Sequence, residues 1–340
     1  MADLEGTAGV DPVPLSSIRL PLARLGVVFE DADVAHRADR AQQTWTGRTK
    51  SGRHVVVQRF LGRPDAAARK LDALSVFARV HQRIPPGSLR APRLLAVSSA
   101  DRIAVLEHIP VMRSAFDVTP GRAVDTAVPR EGGRAVALLH RTAPEGDTVP
   151  GEVVTAEFEA RVRAARRDEA LFQAIGRLAR TTGRSGVTPS HRGLRAERVL
   201  VGSGGEVVFE GWEGFGSADP ALDVGMFVGE WLCAGVLVGP DGAGWGRPCP
   251  DDAVERGLRR FRGVRPAVDA FWSAYRETRP VAGPALAARA TAFAGLHLID
   301  RVTGCDAAGG HPGMEVGLDV GRALVVAPHA FTDALALSAD

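Results

Sequence analysis

Residues Ser190 to Gly225 read SHRGLRAERVLVGSGGEVVFEGWEGFGSADPALDVG. A polar loop leads into Val199-Leu200-Val201, a turn runs through Gly202-Ser203-Gly204-Gly205, and a second apolar run spans Val207 to Glu210. Two short runs separated by a glycine-rich turn predict an antiparallel hairpin that holds two loops side by side. The second loop closes on Asp219-Pro220-Ala221-Leu222-Asp223. Its carboxylates are expected to cap the helix that follows, where free amides and the helix dipole favour negative charge.

The frame of this stretch resembles the active-site segment of the aminoglycoside phosphotransferase and choline-kinase-like family. That segment is written roughly H-G-D-L-x-x-x-N, apolar strand, turn, strand, I-D-W-E, then G-D-P-x-x-D. His191, Leu194, the strand at Val199, Trp212-Glu213, Asp219-Pro220 and Asp223 fall in register with it. The resemblance implies an α+β, bilobal protein-kinase-like fold. It also places the family's catalytic Asp on Gly193, its metal-binding Asn on Arg198 and its metal-binding Asp on Gly211, and puts Ala218 where the Gly of G-D-P belongs. Phosphoryl transfer works by positioning and by spreading developing negative charge onto metal ions held by side-chain oxygens. Glycine has no such oxygen, and Arg198 brings a cation to a cation site.

Toward the amino terminus, residues 1–24 are rich in Gly, Pro and Ser and are expected to form a loose arm. An N-lobe is predicted over 25–110, with strands at Val27-Val28-Phe29, Thr44-Trp45-Thr46 and Val55-Val56-Val57 and a helix from Asp65 to about Val80. The resemblance implies a glycine-containing loop over the nucleotide phosphates, yet Glu30 to Gln43 has no glycine. It also implies a basic residue on the third strand. Gln58 holds that position, strand alternation turns Arg59 to the other face, and Asp72 is the candidate acid on the next helix. Strands at Arg93–Val97 and Ile103–Leu106 then lead to Glu107-His108-Ile109-Pro110, which is similar to the family's hinge.

A helical C-lobe, 111–340, is predicted to carry the 199–210 hairpin. Ala135 to His140 is similar to the family's A-L-x-x-L-H helix, with His140 as a packed residue. Apolar spacings of three and four predict an amphipathic helix over 156–180, whose Arg161, Arg163, Arg166 and Arg167 form a solvated face. Val224–Val236, Asp252–Phe261, Val268–Tyr275 and Ala285–Val302 read as further helices, and 240–250 as a Gly/Pro loop.

The 340 residues are 45% hydrophobic, enough for a sizeable core, and 42 basic against 40 acidic side chains leave a net charge of +2. That near balance, with the signs intermixed, argues against nucleic acid or a membrane surface as partner. No run of about eighteen apolar residues suggests a membrane helix. The start of the chain lacks a signal-peptide pattern, and Cys233, Cys249 and Cys305 lack C-x-x-C spacing. A cytoplasmic protein is expected. Lys50 and Lys70 are the only lysines, and this arginine bias suggests a GC-rich bacterial genome.

Arg192, Arg195 and Arg198 crowd one loop. They are expected either to pair with Glu197, Glu210 or Glu213 and meet solvent, or, with Glu213, to form a ligand site for a small-molecule anion or acidic segment. His191, Asp219 and Asp223 are expected to hold the loop in shape. The combined reading is a degenerate pseudokinase, with Gln58, Gly193, Arg198 and Gly211 as the altered positions, no cofactor and no bound metal. Its work would be binding, scaffolding or regulation of a protein or peptide partner. The family's bacterial members include resistance enzymes and subunits in ribosomal-peptide maturation, and the latter setting suits such a role. The alternative is an active ATP- and Mg-dependent phosphotransferase on a small molecule or peptide hydroxyl, using Glu210, Glu213 or Asp219 for metal and Arg59 or Lys70 for phosphate. A third is an enzyme of another class that reuses the cleft.

Overall fold

The computed structural model describes residues 15–30, 34–39, 41–118, 123–143, 168–182, 186–238, 253–280, 283–305 and 313–338. A five-stranded antiparallel sheet forms the first lobe. Its strands are β1 (Ala35–Ala38), β2 (Gln42–Arg48), β3 (His54–Phe60), β4 (Leu94–Ser98) and β5 (Ile103–Glu107), in the spatial order β1-β2-β3-β5-β4. Alternation along β3 decides what each face does. Val55 and Val57 bury against Trp45, Ile103 and Val105 on one face, while Val56 and Gln58 turn to the inter-lobe cleft.

The first face is covered by the chain's own beginning. Helix α1 (Arg19–Arg24) buries Ile18 and Leu22 on the Trp45 cluster. The expected loose arm is therefore corrected over 15–24; residues 1–14 lie outside the described residues. The helix escaped notice because its two anchors sit among Pro, Ser and Arg. Pro21 is tolerated because it falls in the first turn, where no intrahelical amide is lost. Val27–Phe29 is not a strand either: Phe29 makes only an isolated bridge with Thr49. The first strand is the polar Ala35–Ala38, half exposed at the sheet edge.

The cleft face packs on α2 (Pro64–His81), whose Ala67, Leu71, Leu74 and Phe77 form the expected buried stripe. Asp72 is exposed, so Leu74 rather than an acid faces the cleft. Three residues, His108 to Pro110, then cross to β6 (Val111–Ser114). That strand pairs with β8 (Val199–Gly202), which pairs with β9 (Val207–Phe209) in the register Val199↔Phe209, Leu200↔Val208, Val201↔Val207. The predicted hairpin is present, one residue shorter at its second strand. Between β6 and β8 in sequence lies β7 (Thr188–Ser190), which pairs with β10 (Gly216–Ala218) and brings both ends of the quoted stretch together.

The rest of the lobe is helical: α3 (Ala127–Arg141), α4 (Glu169–Thr182), α5 (Pro220–Cys233), α6 (Ala253–Phe261), α7 (Arg265–Thr278), α8 (Pro284–Cys305) and α9 (Met314–Val326). Pro266 opens α7 rather than breaking a helix, since proline fits a first turn. The amino-terminal part of the predicted 156–180 helix, with its four arginines, and the 240–250 loop lie outside the described residues. One apolar core runs from Phe60 and Phe77 through Trp212 and Phe215 to Phe227 and Phe271. The lobes are therefore joined by packing as well as by the linker. No described helix is long and apolar enough to cross a membrane.

Candidate functional site

The loop before β8 is held by one carboxylate. Asp223, fully buried on α5, accepts from the His191 amide at 2.7 Å and from the Arg192 amide at 2.7 Å, one on each oxygen. His140 on α3 reaches Oδ2 with Nε2 at 3.2 Å, and its Nδ1 contacts the Tyr275 hydroxyl at 2.8 Å. Burial pushes the Asp223 carboxyl up, but His140, His191 and the Arg192 amide outweigh it and leave the group below its usual range. Arg192 has φ 63°, a left-handed conformation that an arginine keeps only where its surroundings fix it. Asp223 thus clamps the loop instead of capping a helix. Asp219 alone caps α5, accepting from the Ala221 amide at 2.9 Å, and it is tied to Arg289 at 2.7 Å.

His191 is buried as expected for a loop-holding residue. Its Nε2 lies 2.8 Å from the Glu210 carbonyl, which can only accept, so that nitrogen carries the proton. Burial lowers its pKa, with Arg198 adding to the effect and Asp223 opposing it. The ring also lies 4.3 Å from that of Trp212, which stacks on Phe77 of α2 at 3.6 Å and 7°.

Gly193, Arg198 and Gly211 meet at one point. The Arg198 guanidinium donates to the Gly211 carbonyl at 3.0 Å and to Glu213 Oε1 at 2.6 Å. A β-carbon on Gly193 would lie 2.9 Å from Arg198 Nη1. One on Gly211 would lie 2.6 Å from Arg198 Cδ and 2.8 Å from Nε. Such approaches are closer than packed carbon and nitrogen atoms tolerate, so the arginine fills the space where both missing side chains would begin. Gly211 has φ 79°, a region that Asp and Asn enter more readily than other side-chain-bearing residues. The backbone there suits an acid that the sequence does not supply.

The arginines of the loop are not brought together as a cluster. Arg198 is spent on Glu213, Arg195 pairs with Asp300 at 3.1 Å, and Arg192 enters through its backbone amide. Glu197 goes to Arg301 at 3.4 Å. The candidate acids likewise divide. Asp219 has both oxygens engaged, whereas Glu210 lies beyond the end of β9 and lines the cleft with Glu213, where a strictly continued strand would have turned it away. Burial, then the neighbouring Glu213, raises the Glu210 pKa. Lys70 sits over the Phe60 ring at 5.3 Å, and Arg59 follows Val55 and Val57 away from the cleft.

A small pocket lies between the lobes. Val56, Gln58, Leu74, Phe77, Leu106 and the 210–213 segment enclose about 60 Å³. Small-molecule sites usually hold roughly 300–1,000 Å³. Gln58 faces this space with its Oε1 buried and unpaired among the described residues. Above it, the turn between β1 and β2 directs the Ala41 and Gln42 amides to the Asp39 carboxylate at 2.6 and 2.8 Å, leaving neither for a phosphate. No group of three or more metal-ligating side chains exists among the described residues. These residues do not fit a magnesium nucleotide: the Arg198 guanidinium fills the space beside Gly193 and Gly211 and is paired to Glu213, so a cation stands where side-chain oxygens would be needed to hold a metal.

No protein-family model and no curated protein sequence matches the chain. Solved structures do. Macrolide 2'-phosphotransferase MphH from Brachybacterium faecium superposes with a TM-score of 0.55 at 15% identity, over 92% of this chain and 97% of that one. Choline kinase LicA from Streptococcus pneumoniae gives 0.54 at 14%, over 91% and 98%. The amicoumacin kinase hAmiN, solved with AMP-PNP and calcium, gives 0.56 at 12%, over 91% and 92%. The chain therefore has the aminoglycoside-phosphotransferase-like kinase fold over most of its length.

Proposed function

We propose that this protein is a non-phosphorylating member of its fold, a pseudokinase that acts by binding. The observation that carries the reading is the position of Arg198, whose guanidinium fills the space beside Gly193 and Gly211 and is locked to Glu213 at 2.6 Å. A phosphotransferase needs side-chain oxygens there to hold metal and to take the acceptor's proton. Here Gly193 and Gly211 offer none, and Glu213 in the cleft is already committed to Arg198. The work left to such a fold is recognition, with a protein or peptide partner as the expected target and the cytoplasm as the expected setting. An active enzyme that used Glu210 and Glu213 for metal would first have to free Glu213 from Arg198.

Thermal unfolding with nucleotide tests this reading. A ligand present at about one hundred times its Kd adds roughly 2.7 kcal/mol to the native state. For a chain of this length that moves Tm by several degrees. The expected result is a Tm unmoved by millimolar ATP with magnesium. A magnesium-dependent rise of several degrees would sink the proposal.

A further inference from the structure

A second cavity lies in the helical lobe. It encloses about 640 Å³ between α4, the start of α8 and the turn after α9. None of the residues from 191 to 213 lines it, so it is separate from the site above. Its walls are mostly aliphatic, including Leu178, Ala288, Ala292 and Val325. Alanines on α8 leave room that larger side chains would fill, and the volume falls within the roughly 300–1,000 Å³ of small-molecule sites.

Arg177 and Arg289 border the cavity, and among the described residues no Asp or Glu does. Arg289 is engaged by Asp219 and by the Ala285 carbonyl. Arg177 is exposed on α4 and has no ion-pair partner among the described residues. An aliphatic chamber with an uncommitted guanidinium at its rim matches a molecule with an apolar body and one anionic end. Burial of the body supplies the binding energy, and the guanidinium fork orients a carboxylate. We infer that this cavity binds a small carboxylate-bearing amphiphile, which places an anion site on the molecule outside the arginine loop.

Decanoate and decylamine are matched probes, because they share the chain and differ in the sign of the head. Titration calorimetry on the full chain should show saturable 1:1 binding of decanoate, about tenfold or more tighter than decylamine. Arg177→Glu, on an exposed helix face, should weaken decanoate by about tenfold and abolish the preference. Ala288→Phe should remove binding of both probes; if it fails to fold, the Arg177→Glu comparison still decides. The inference is overturned if decanoate does not saturate, if the amine binds equally well, or if Arg177→Glu leaves decanoate affinity unchanged. Neither variant touches Arg198 or Glu213, so these outcomes are independent of the reading of the cleft.

Discussion

Two ends of one loop behave differently. At its start, His191 and Arg192 are clamped by Asp223, with His140 and Tyr275 behind, in a buried arrangement. A few residues on, Gly193, Arg198 and Gly211 keep the backbone course but replace the oxygens with a guanidinium. The clamp is required by the fold, because a left-handed arginine and two buried amides need a fixed acceptor whatever the protein does. The chemistry carries no such requirement. The space beside Gly193 and Gly211 is filled by one arginine, and its charge is met by one glutamate.

The comparison breaks most visibly at the clamp. Asp223→Ala strips two buried amides and His140 of their partner, and removing such a charged acceptor costs about 3–5 kcal/mol. Urea unfolding should show that loss. Arg198→Ala should cost less, about 1–2 kcal/mol, because the Arg198 side chain is 32% exposed and its removal opens the nearly buried Glu213 to water. A larger loss at Arg198 than at Asp223 would invert the account.

Gly211→Ala sharpens it further. In the natural background the methyl group meets both a left-handed backbone and the Arg198 side chain, for a combined cost of about 2–3 kcal/mol. In the Arg198→Ala background only the backbone term remains, about 1–2 kcal/mol. A double-mutant cycle should therefore show coupling. Strict additivity would mean that the guanidinium does not occupy the space beside Gly211.

The smallest effects are in pH dependence, and they have opposite signs. His191 has a depressed pKa in the fold, so the unfolded chain takes up a proton first and stability falls as pH drops below about 6.5. Glu210 has a raised pKa, so its contribution is fully present below the ordinary glutamate value and is lost as pH rises through the folded one. Glu210→Gln should therefore increase stability at pH 7 relative to pH 4, by less than about 1 kcal/mol. A decrease would show that the carboxylate is wanted in its charged form.

Much of this was legible in the residues. The hairpin, α2, the linker near Glu107 and most carboxyl-terminal helices follow from apolar spacing and turn residues, and the frame singles out Gly193, Arg198 and Gly211, which the structure brings together. What escaped depended on partners distant in sequence. Arg195 finds Asp300, 105 positions away, so no local pattern separates an ion-paired loop from an anion site. The first strand escaped because an edge strand with two half-exposed faces has no apolar alternation to read. Glu210 reaches the cleft because β9 ends at Phe209, a boundary that the apolar run from Val207 to Glu210 does not mark. The helical-lobe cavity leaves no trace in periodicity, since alanine continues a buried face without filling it.

The most direct test of the central claim is a calorimetric titration of the natural chain with ATP, with and without magnesium. If Arg198 and Glu213 occupy the metal's place, no saturable heat should appear up to millimolar nucleotide in either condition. A micromolar Kd that requires magnesium would mean that the cleft opens and that the guanidinium leaves its position between Gly193 and Gly211, which contradicts the account.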